Sequence, residues 1–235
     1  MKNISFLKIL ILGLSIILAG YFIGEMNWKS QKNNRKVQVK GLSERIVDAN
    51  LAVWPMKITF ISNNLKELNA KIAHQKKIVV EFFRTKGFNK DEITSGVGNI
   101  SDAKANLYNN NRNLDFRYLA NLEITLRTTD ISKIKIAQKE VVALLSKGIV
   151  INSKNTWRPI QYFFTNLNSI KPAMIEEATK KAKEVAEKFA KDSNSKVGKI
   201  KTANQGLFSI NDRDENTPFV KKVRVVTSIT YFLED

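Results

Sequence analysis

Apolar residues recur along this chain with a helical period in three places. Steps of three, four and seven residues predict helices over Asn64–Lys86, Asp130–Lys147 and Lys171–Asp192. The first stripe consists of Leu65, Leu68, Ile72, Val79, Phe82 and Phe83. The second consists of Ile134, Val141, Leu144 and Leu145. The third is rich in alanine and consists of Ile175, Ala178, Ala182, Val185, Ala186 and Phe189. Because alanine is small, the third helix is predicted to approach a sheet closely.

Polar residues and glycines predict where these helices begin and end. The candidate N-terminal caps are Asn63 or Asn64 for the first helix and Asp130 or Ser132 for the second. Gly87 and Gly148 follow the last apolar position of the first and second helices, so they are predicted to stop them. Pro172 is predicted to lie in the first turn of the third helix, where proline is tolerated.

Segments between the helices have the composition and alternation of β-strands, and we expect them in pairs. The pairs are Lys36–Ala49 with Leu51–Ser62, Ile93–Ala105 with Leu114–Arg127, Gly148–Asn152 with Trp157–Thr165, and Val197–Ile210 with Lys222–Leu233. Leu122, Ile124 and Leu126 are expected on one face of their strand, and Trp54-Pro55 is expected at a sheet edge or bulge. The predicted order is ββαββαββαββ: an α+β fold of repeated ββα units, with helices packed on mainly antiparallel sheet.

The N-terminal segment Phe6–Ile23 is apolar apart from Lys8, Ser15 and two glycines. As a helix it would span about 27 Å, close to the roughly 30 Å hydrocarbon core of a bilayer. A cleaved signal peptide is the alternative, but Ala19-Gly20-Tyr21 places tyrosine where a small residue is needed. We therefore expect a single-pass signal anchor over residues 1–25, a polar tether over 26–35 and one domain over 36–235.

The positive net charge of the chain has two competing explanations. The 235 residues carry 39 Lys+Arg against 22 Asp+Glu, a net charge of +17. This charge is typical of proteins that bind polyanions, so a lysine-rich module for anionic lipid or polysaccharide is one hypothesis. However, lysine outnumbers arginine and is scattered, as in the compositional bias of an AT-rich genome, and no nucleic-acid motif is present. Lysines on both sides of the apolar segment also leave its orientation open.

Few residues of this chain are suited to catalysis or cofactor binding. Without cysteine, the chain has no disulfide, thiolate metal site or thiol nucleophile, and its one histidine, His74, lies off the apolar stripe of the first helix and is expected at the surface. The segment Asp212–Asn216 begins like a calcium loop, but Thr217 and Val223 replace the required glycine and glutamate. We expect that segment to be a polar turn closed by Pro218, and we expect neither metal, cofactor nor enzymatic activity.

One segment is a candidate interaction surface. Trp157, Arg158 and Tyr162 combine aromatic rings with a guanidinium group, which suits recognition of a partner or small ligand. Trp157 is equally compatible with a place in the core. A concave pocket near these residues would keep the ligand-binding hypothesis open.

Four segments in order resemble the SIMPL-domain family, the YggE-like proteins of the bacterial envelope. They are Val39–Pro55 (VKGLSERIVDANLAVWP), Lys86–Gly96, Tyr118–Ile134 and Ala173–Ile200. In the first, Val39, Gly41 and Ser43 match the family pattern, whereas Asn50-Leu51-Ala52 replaces its Asp-x-Ala.

The resemblance implies a domain that faces the periplasm, ββα-type units and relatives that build hollow ring-like oligomers. Some relatives are linked to tolerance of oxidative stress, and one group is known as periplasmic immunogenic proteins. The family supplies no established catalytic residues. We therefore expect a homo-oligomer held at the bacterial inner membrane by its N-terminal helix, with its C-terminal domain in the periplasm and no nucleic-acid partner.

Overall fold

The fold was analysed in a computed structural model that describes residues 12–22, 24, 35–105, 115–151 and 159–234. Its strands are β1 (Lys36–Asp48), β2 (Leu51–Ser62), β3 (Ile93–Asp102), β4 (Tyr118–Thr128), β5 (Gln161–Phe163), β6 (Lys196–Gln205), β7 (Ser209–Asp212) and β8 (Val220–Glu234). Its helices are α1 (Leu65–Thr85), α2 (Ile131–Glu140) and α3 (Leu167–Asp192), with 3-10 turns at Lys90–Glu92 and Val141–Lys147. The α+β class is confirmed.

The chain divides into two compact units. Unit 1 comprises Met1–Arg45, Asn168–Ser209 and Val223–Asp235, and unit 2 comprises Ile46–Leu167 and Ile210–Lys222. One sheet has the strand order β1-β8-β6, with β7 also paired to β8, and the other has the order β3-β4-β2-β5. The pairings of β2 with β4 and β5, of β3 with β4 and of β6 with β8 are antiparallel.

In unit 2 the core lies between helix α1 and the β3-β4-β2-β5 sheet. Alternate residues of β2 and β4 face it, and their register places Trp54 opposite Leu126 and Ile58 opposite Leu122. The predicted face of Leu122, Ile124 and Leu126 is confirmed, since all three are buried. Asn64 caps α1 by accepting the backbone N–H groups of Lys66 and Glu67, as the sequence predicted.

In unit 1 the alanine face of α3 packs against strand β1. Ala178, Ala182, Ala186 and Ala190 are fully buried, whereas the larger Val185 and Phe189 point to solvent. Gly41 of β1 lies so close to α3 that a β-carbon there would be 1.8 Å from the carbonyl oxygen of Ala178. The predicted close approach of the alanine helix is therefore present, and glycine is the one residue that fits at position 41.

The predicted pairing of the first two strands was wrong, because β1 and β2 belong to different sheets. A two-residue hairpin needs positive φ angles in its turn, and neither Ala49 nor Asn50 has one. Their backbone N–H groups instead donate to the carbonyl oxygens of Phe219 and Phe163, at 2.8 and 2.9 Å. These bonds direct the chain out of one sheet and into the other.

The repeated ββα pattern is present only in part. In the third predicted strand pair, residues 148–151 of the first strand do not form a strand. Of residues 159–165 in the second strand, only β5 is a strand. Gly148, with φ of 72°, ends the 3-10 turn and directs the chain into an irregular segment. The predicted strand Val197–Ile210 is divided at Gly206 into β6 and β7. The backbone N–H of Gly206 donates to the carbonyl oxygen of Val226 in β8.

The predicted helix limits were approximate. The segment Asp130–Lys147 is α-helical only to Glu140 and then tightens into the 3-10 turn, at a pair of β-branched valines. Helix α3 begins four residues before the predicted start, so Pro172 lies in its second turn rather than its first. Pro55 lies beyond the end of β5, which pairs only with Leu51–Val53, so the edge position predicted for it is confirmed.

Residues 12–22 are helical, and the rest of the predicted membrane segment Phe6–Ile23 lies outside the described residues. Within the described part of the chain, no helix is both long enough and apolar enough to span a bilayer.

Replacement of Gly41 by alanine tests the contact between β1 and α3. The added methyl group would overlap Ala178 and force the helix away from the sheet. We expect the free energy of unfolding, measured by urea denaturation, to fall by about 3 kcal/mol or more. Gly96→Ala is the matched control, because the same methyl group at that strand position meets no atom within 4 Å. Equal stability of the two variants would contradict the packing described for Gly41.

Candidate functional site

An open pocket with a volume of about 980 Å³ lies entirely within unit 2. Its walls come from strand β2, from α2 and the following 3-10 turn, from residues 159–162, and from the turn that precedes β8. The lining residues are Trp54, Lys135, Gln138, Lys139, Val141, Val142, Pro159, Ile160, Tyr162, Glu215, Asn216, Pro218 and Phe219. Eight of these thirteen residues are apolar or aromatic, and the other five are polar or charged.

Three aromatic rings form the floor of the pocket. Trp54 and Tyr162 are buried, and Phe219 is half-buried. The rings of Tyr162 and Phe219 meet edge to face, with centroids 6.1 Å apart and planes at 72°. Burial raises the pKa of the Tyr162 phenol, so this side chain stays neutral throughout the physiological pH range.

Two lysines bring positive charge to the pocket. Lys135 and Lys139 are one turn apart on α2, and the ammonium nitrogen of Lys135 lies 3.7 Å from the centroid of the Phe219 ring. This distance is typical of a cation–π contact. Neither lysine forms an ion pair with a residue that the structure describes. Glu215 is the acidic residue of the lining.

The turn that carries Phe219 into the pocket is held by Asp214. Its carboxylate accepts the backbone N–H groups of Asn216 and Thr217, at 3.1 and 2.8 Å, and the Arg213 guanidinium donates to it at 2.8 Å. The hydroxyl of Thr217 also donates to this carboxylate. The predicted polar turn is therefore confirmed, and its function in the fold is to position Pro218 and Phe219.

Of the three residues predicted as an interaction surface, Tyr162 lines the pocket. Trp157 and Arg158 lie outside the described residues. A concave pocket is thus present at Tyr162, which keeps the ligand-binding hypothesis open. Sequence reasoning missed Phe219 and the two lysines, because the pocket joins segments far apart in the chain. The one local signal was the spacing of Lys135 and Lys139, which places them on the same side of a helix.

A second exposed surface lies on strand β6 in unit 1. A strand that covers a core alternates between buried and exposed residues, but every residue from Lys199 to Gln205 is exposed. Strand β6 is at the end of its sheet, so its outer edge has no partner strand among the described residues. Just beyond it, Leu207 is 95% exposed. From Lys199 to Gln205 both faces of the strand are therefore exposed, and its outer edge is unpaired within the described part of the chain.

No metal-binding cluster accompanies these surfaces in the described part of the chain. His74 is exposed on α1, as predicted. Among the described residues, no group of three or more His, Asp or Glu side chains lies close enough together to hold a metal ion.

The pKa of Asp214 tests the structure of the turn. Hydrogen bonds from Thr217, and then from Arg213, lower this pKa from 3.8 to about 2. The ionised carboxylate therefore stabilises the turn above pH 3.8, and this contribution is lost as the pH falls toward 2. In an NMR titration we expect a carboxyl midpoint of about 2 and a higher midpoint in the Thr217→Val variant. A midpoint near 3.8 in the unaltered chain would contradict the described hydrogen bonds.

A comparison with known families gives a match over most of the chain. The family model described as SIMPL, protein of unknown function (DUF541), matches residues 37–230. No curated protein matches the chain. The matched segment includes Gly41 with its alanine helix, the pocket and strand β6. Because the match covers far more than half of the sequence, this chain belongs to the SIMPL family of proteins of unknown function.

Proposed function

We propose that this chain is a membrane-anchored, non-enzymatic protein of the bacterial envelope that acts by assembling with copies of itself. The observation that carries the proposal is the Lys199–Gln205 part of strand β6, where every residue is exposed and the outer edge has no partner strand among the described residues. Such a strand segment buries little of its surface within its own chain, and contact with a second copy would bury more.

The apolar residues of this surface supply the attraction between copies. Ile200 is half exposed and Leu207 almost wholly exposed, at 52% and 95%. Burial of a leucine side chain contributes about 1.5–3 kcal/mol. Lys196 and Lys199 lie on the same strand, and each copy has a net charge of +17. Like charges repel, so assembly is expected to strengthen as salt screens them.

The proposed anchor is supported by the N-terminal apolar segment. Within its described helical part, Leu12, Ile16 and Ile17 expose most of their side-chain surface, as residues in contact with lipid do. The family resemblance favours a domain in the periplasm and a role in stress tolerance. The absence of cysteine and the single exposed histidine support a role other than catalysis.

Binding of anionic lipid or polysaccharide is a second candidate function. The lysines of β6 favour this function, because Lys196, Lys199 and Lys201 are all exposed along one strand. The two functions respond to salt in opposite ways, because counterion screening weakens the attraction between lysines and polyanions. The sign of the salt dependence therefore distinguishes them.

Assembly is tested by the mass of the full chain in detergent solution, measured by size-exclusion chromatography with light scattering and compared with the mass of one chain. We expect an oligomer whose population grows with protein concentration and with salt. Leu207→Gln is expected to raise the dissociation constant about tenfold or more, since it removes a buried leucine side chain from the interface.

Leu145→Gln serves as the control for that variant, because Leu145 is an exposed leucine that belongs to unit 2, whereas β6 belongs to unit 1. A strict monomer at high concentration, or equal effects of the two variants, would contradict assembly through β6. Tight binding to anionic vesicles that weakens with salt, in a chain that stays monomeric, would favour the second candidate.

The proposed location is tested by protease accessibility in bacterial cells. We expect the domain of residues 36–235 to be protected in intact cells and digested in spheroplasts, because removal of the outer barrier exposes the periplasm. A cytoplasmic marker protein should remain intact in both preparations. Protection of the domain in spheroplasts would contradict a periplasmic location.

A further inference from the structure

We infer that the pocket on unit 2 binds an acidic peptide segment, which inserts one aromatic or branched apolar side chain against Phe219. This inference is independent of assembly through β6, because the pocket and that strand belong to different units.

The floor and walls of the pocket suit one large apolar side chain. The rings of Trp54, Tyr162 and Phe219 present flat apolar surface, and the Tyr162–Phe219 pair already has the edge-to-face geometry that a further ring can extend. Val141 and Ile160 add branched side chains to the wall. A volume of about 980 Å³ leaves room for the flanking backbone of a peptide.

The lining carries two lysines against one acidic residue, Glu215, and this excess of positive charge favours an acidic occupant. Lys135 and Lys139 are the part of α2 that carries positive charge in the pocket lining. Neither has an ion-pair partner among the described residues. The Phe219 ring holds the ammonium group of Lys135 at 3.7 Å, so a cation is fixed next to the apolar site. A carboxylate beside the inserted side chain would pair with these two groups.

The shape of the pocket favours a peptide over a free fatty acid. Val142 forms part of the wall yet is 63% exposed, so the pocket is open to solvent on this side, where a peptide backbone stays hydrated and an acyl chain gains little burial. Gln138 and Asn216, which also line the pocket, offer amide donors and acceptors of the kind that bond to peptide backbone. Pro218, beside Phe219, restricts the turn and keeps this arrangement ready for binding.

The test uses the full chain in nanodiscs, titrated by calorimetry with acetyl-Glu-Phe-Glu-amide. We expect a dissociation constant below about 1 mM. The peptides acetyl-Glu-Ala-Glu-amide and acetyl-Lys-Phe-Lys-amide should bind about tenfold more weakly or worse, since each lacks one of the two recognised features. Equal binding of either peptide, or no binding of the first, would overturn the inference. Tighter binding of octanoate than of the acidic peptide would overturn the assignment to a peptide.

Variants at exposed positions locate the site without disturbing the fold. The double variant Lys135→Gln and Lys139→Gln is expected to weaken binding about fivefold, as loss of exposed ion pairs does. Val142→Asp should abolish measurable binding by repelling the acidic peptide at the wall. Lys147→Gln, an exposed lysine outside the pocket, is the control and should leave the affinity unchanged. If the double variant and Val142→Asp bind as the unaltered chain does, the peptide does not occupy this pocket.

Discussion

Unit 1 depends on the contact of Gly41 with the alanine face of α3. Helix and strand approach so closely there that even a methyl group on residue 41 would overlap the helix backbone. The contact brings Ala182 and Ala186 against Val39 of β1 and against Ile229 and Tyr231 of β8. Two residues along the strand, the Ser43 hydroxyl donates to Glu177 of α3 at 2.8 Å, and Lys181 also donates to this carboxylate. Hydrogen bonds from Lys181 and then Ser43 keep the pKa of Glu177 below its ordinary value.

This contact also explains why β6 is left uncovered. The small core of unit 1 consists of residues from β1, α3 and β8, and β6 contributes only the half-buried Val197 to it. Beyond Val197 the strand keeps its hydrogen bonds to β8 but has no helix or sheet against either face. An edge strand that is also exposed on both faces can bury more of its surface by contact with another chain, which is why we propose assembly for this surface.

Local patterns predicted the elements well and their partners less well. The cap at Asn64, the stop at Gly87 and the apolar face of β4 depend on neighbouring residues, so the sequence contains them directly. The alanine spacing in α3 likewise predicted a close helix–sheet contact, whereas the place of Gly41 in that contact was not predicted. The path of the chain from β1 to β2 depends on hydrogen bonds from Ala49 and Asn50 to the carbonyl oxygens of Phe219 and Phe163. These residues lie far along the chain, so no local pattern encodes the bonds. The pocket was predictable only at Tyr162, because Lys135 and Phe219 come together through tertiary structure.

The central claim is that a second copy covers β6, and hydrogen–deuterium exchange reports on this strand directly. The full chain is labelled at protein concentrations below and above the onset of assembly, and the peptide spanning Lys199–Gln205 is followed by mass spectrometry. The account predicts that exchange in this peptide slows as the concentration rises, whereas exchange in the buried strand β4 stays the same. Exchange in Lys199–Gln205 that is equally fast at both concentrations, in a sample that has assembled, would contradict it.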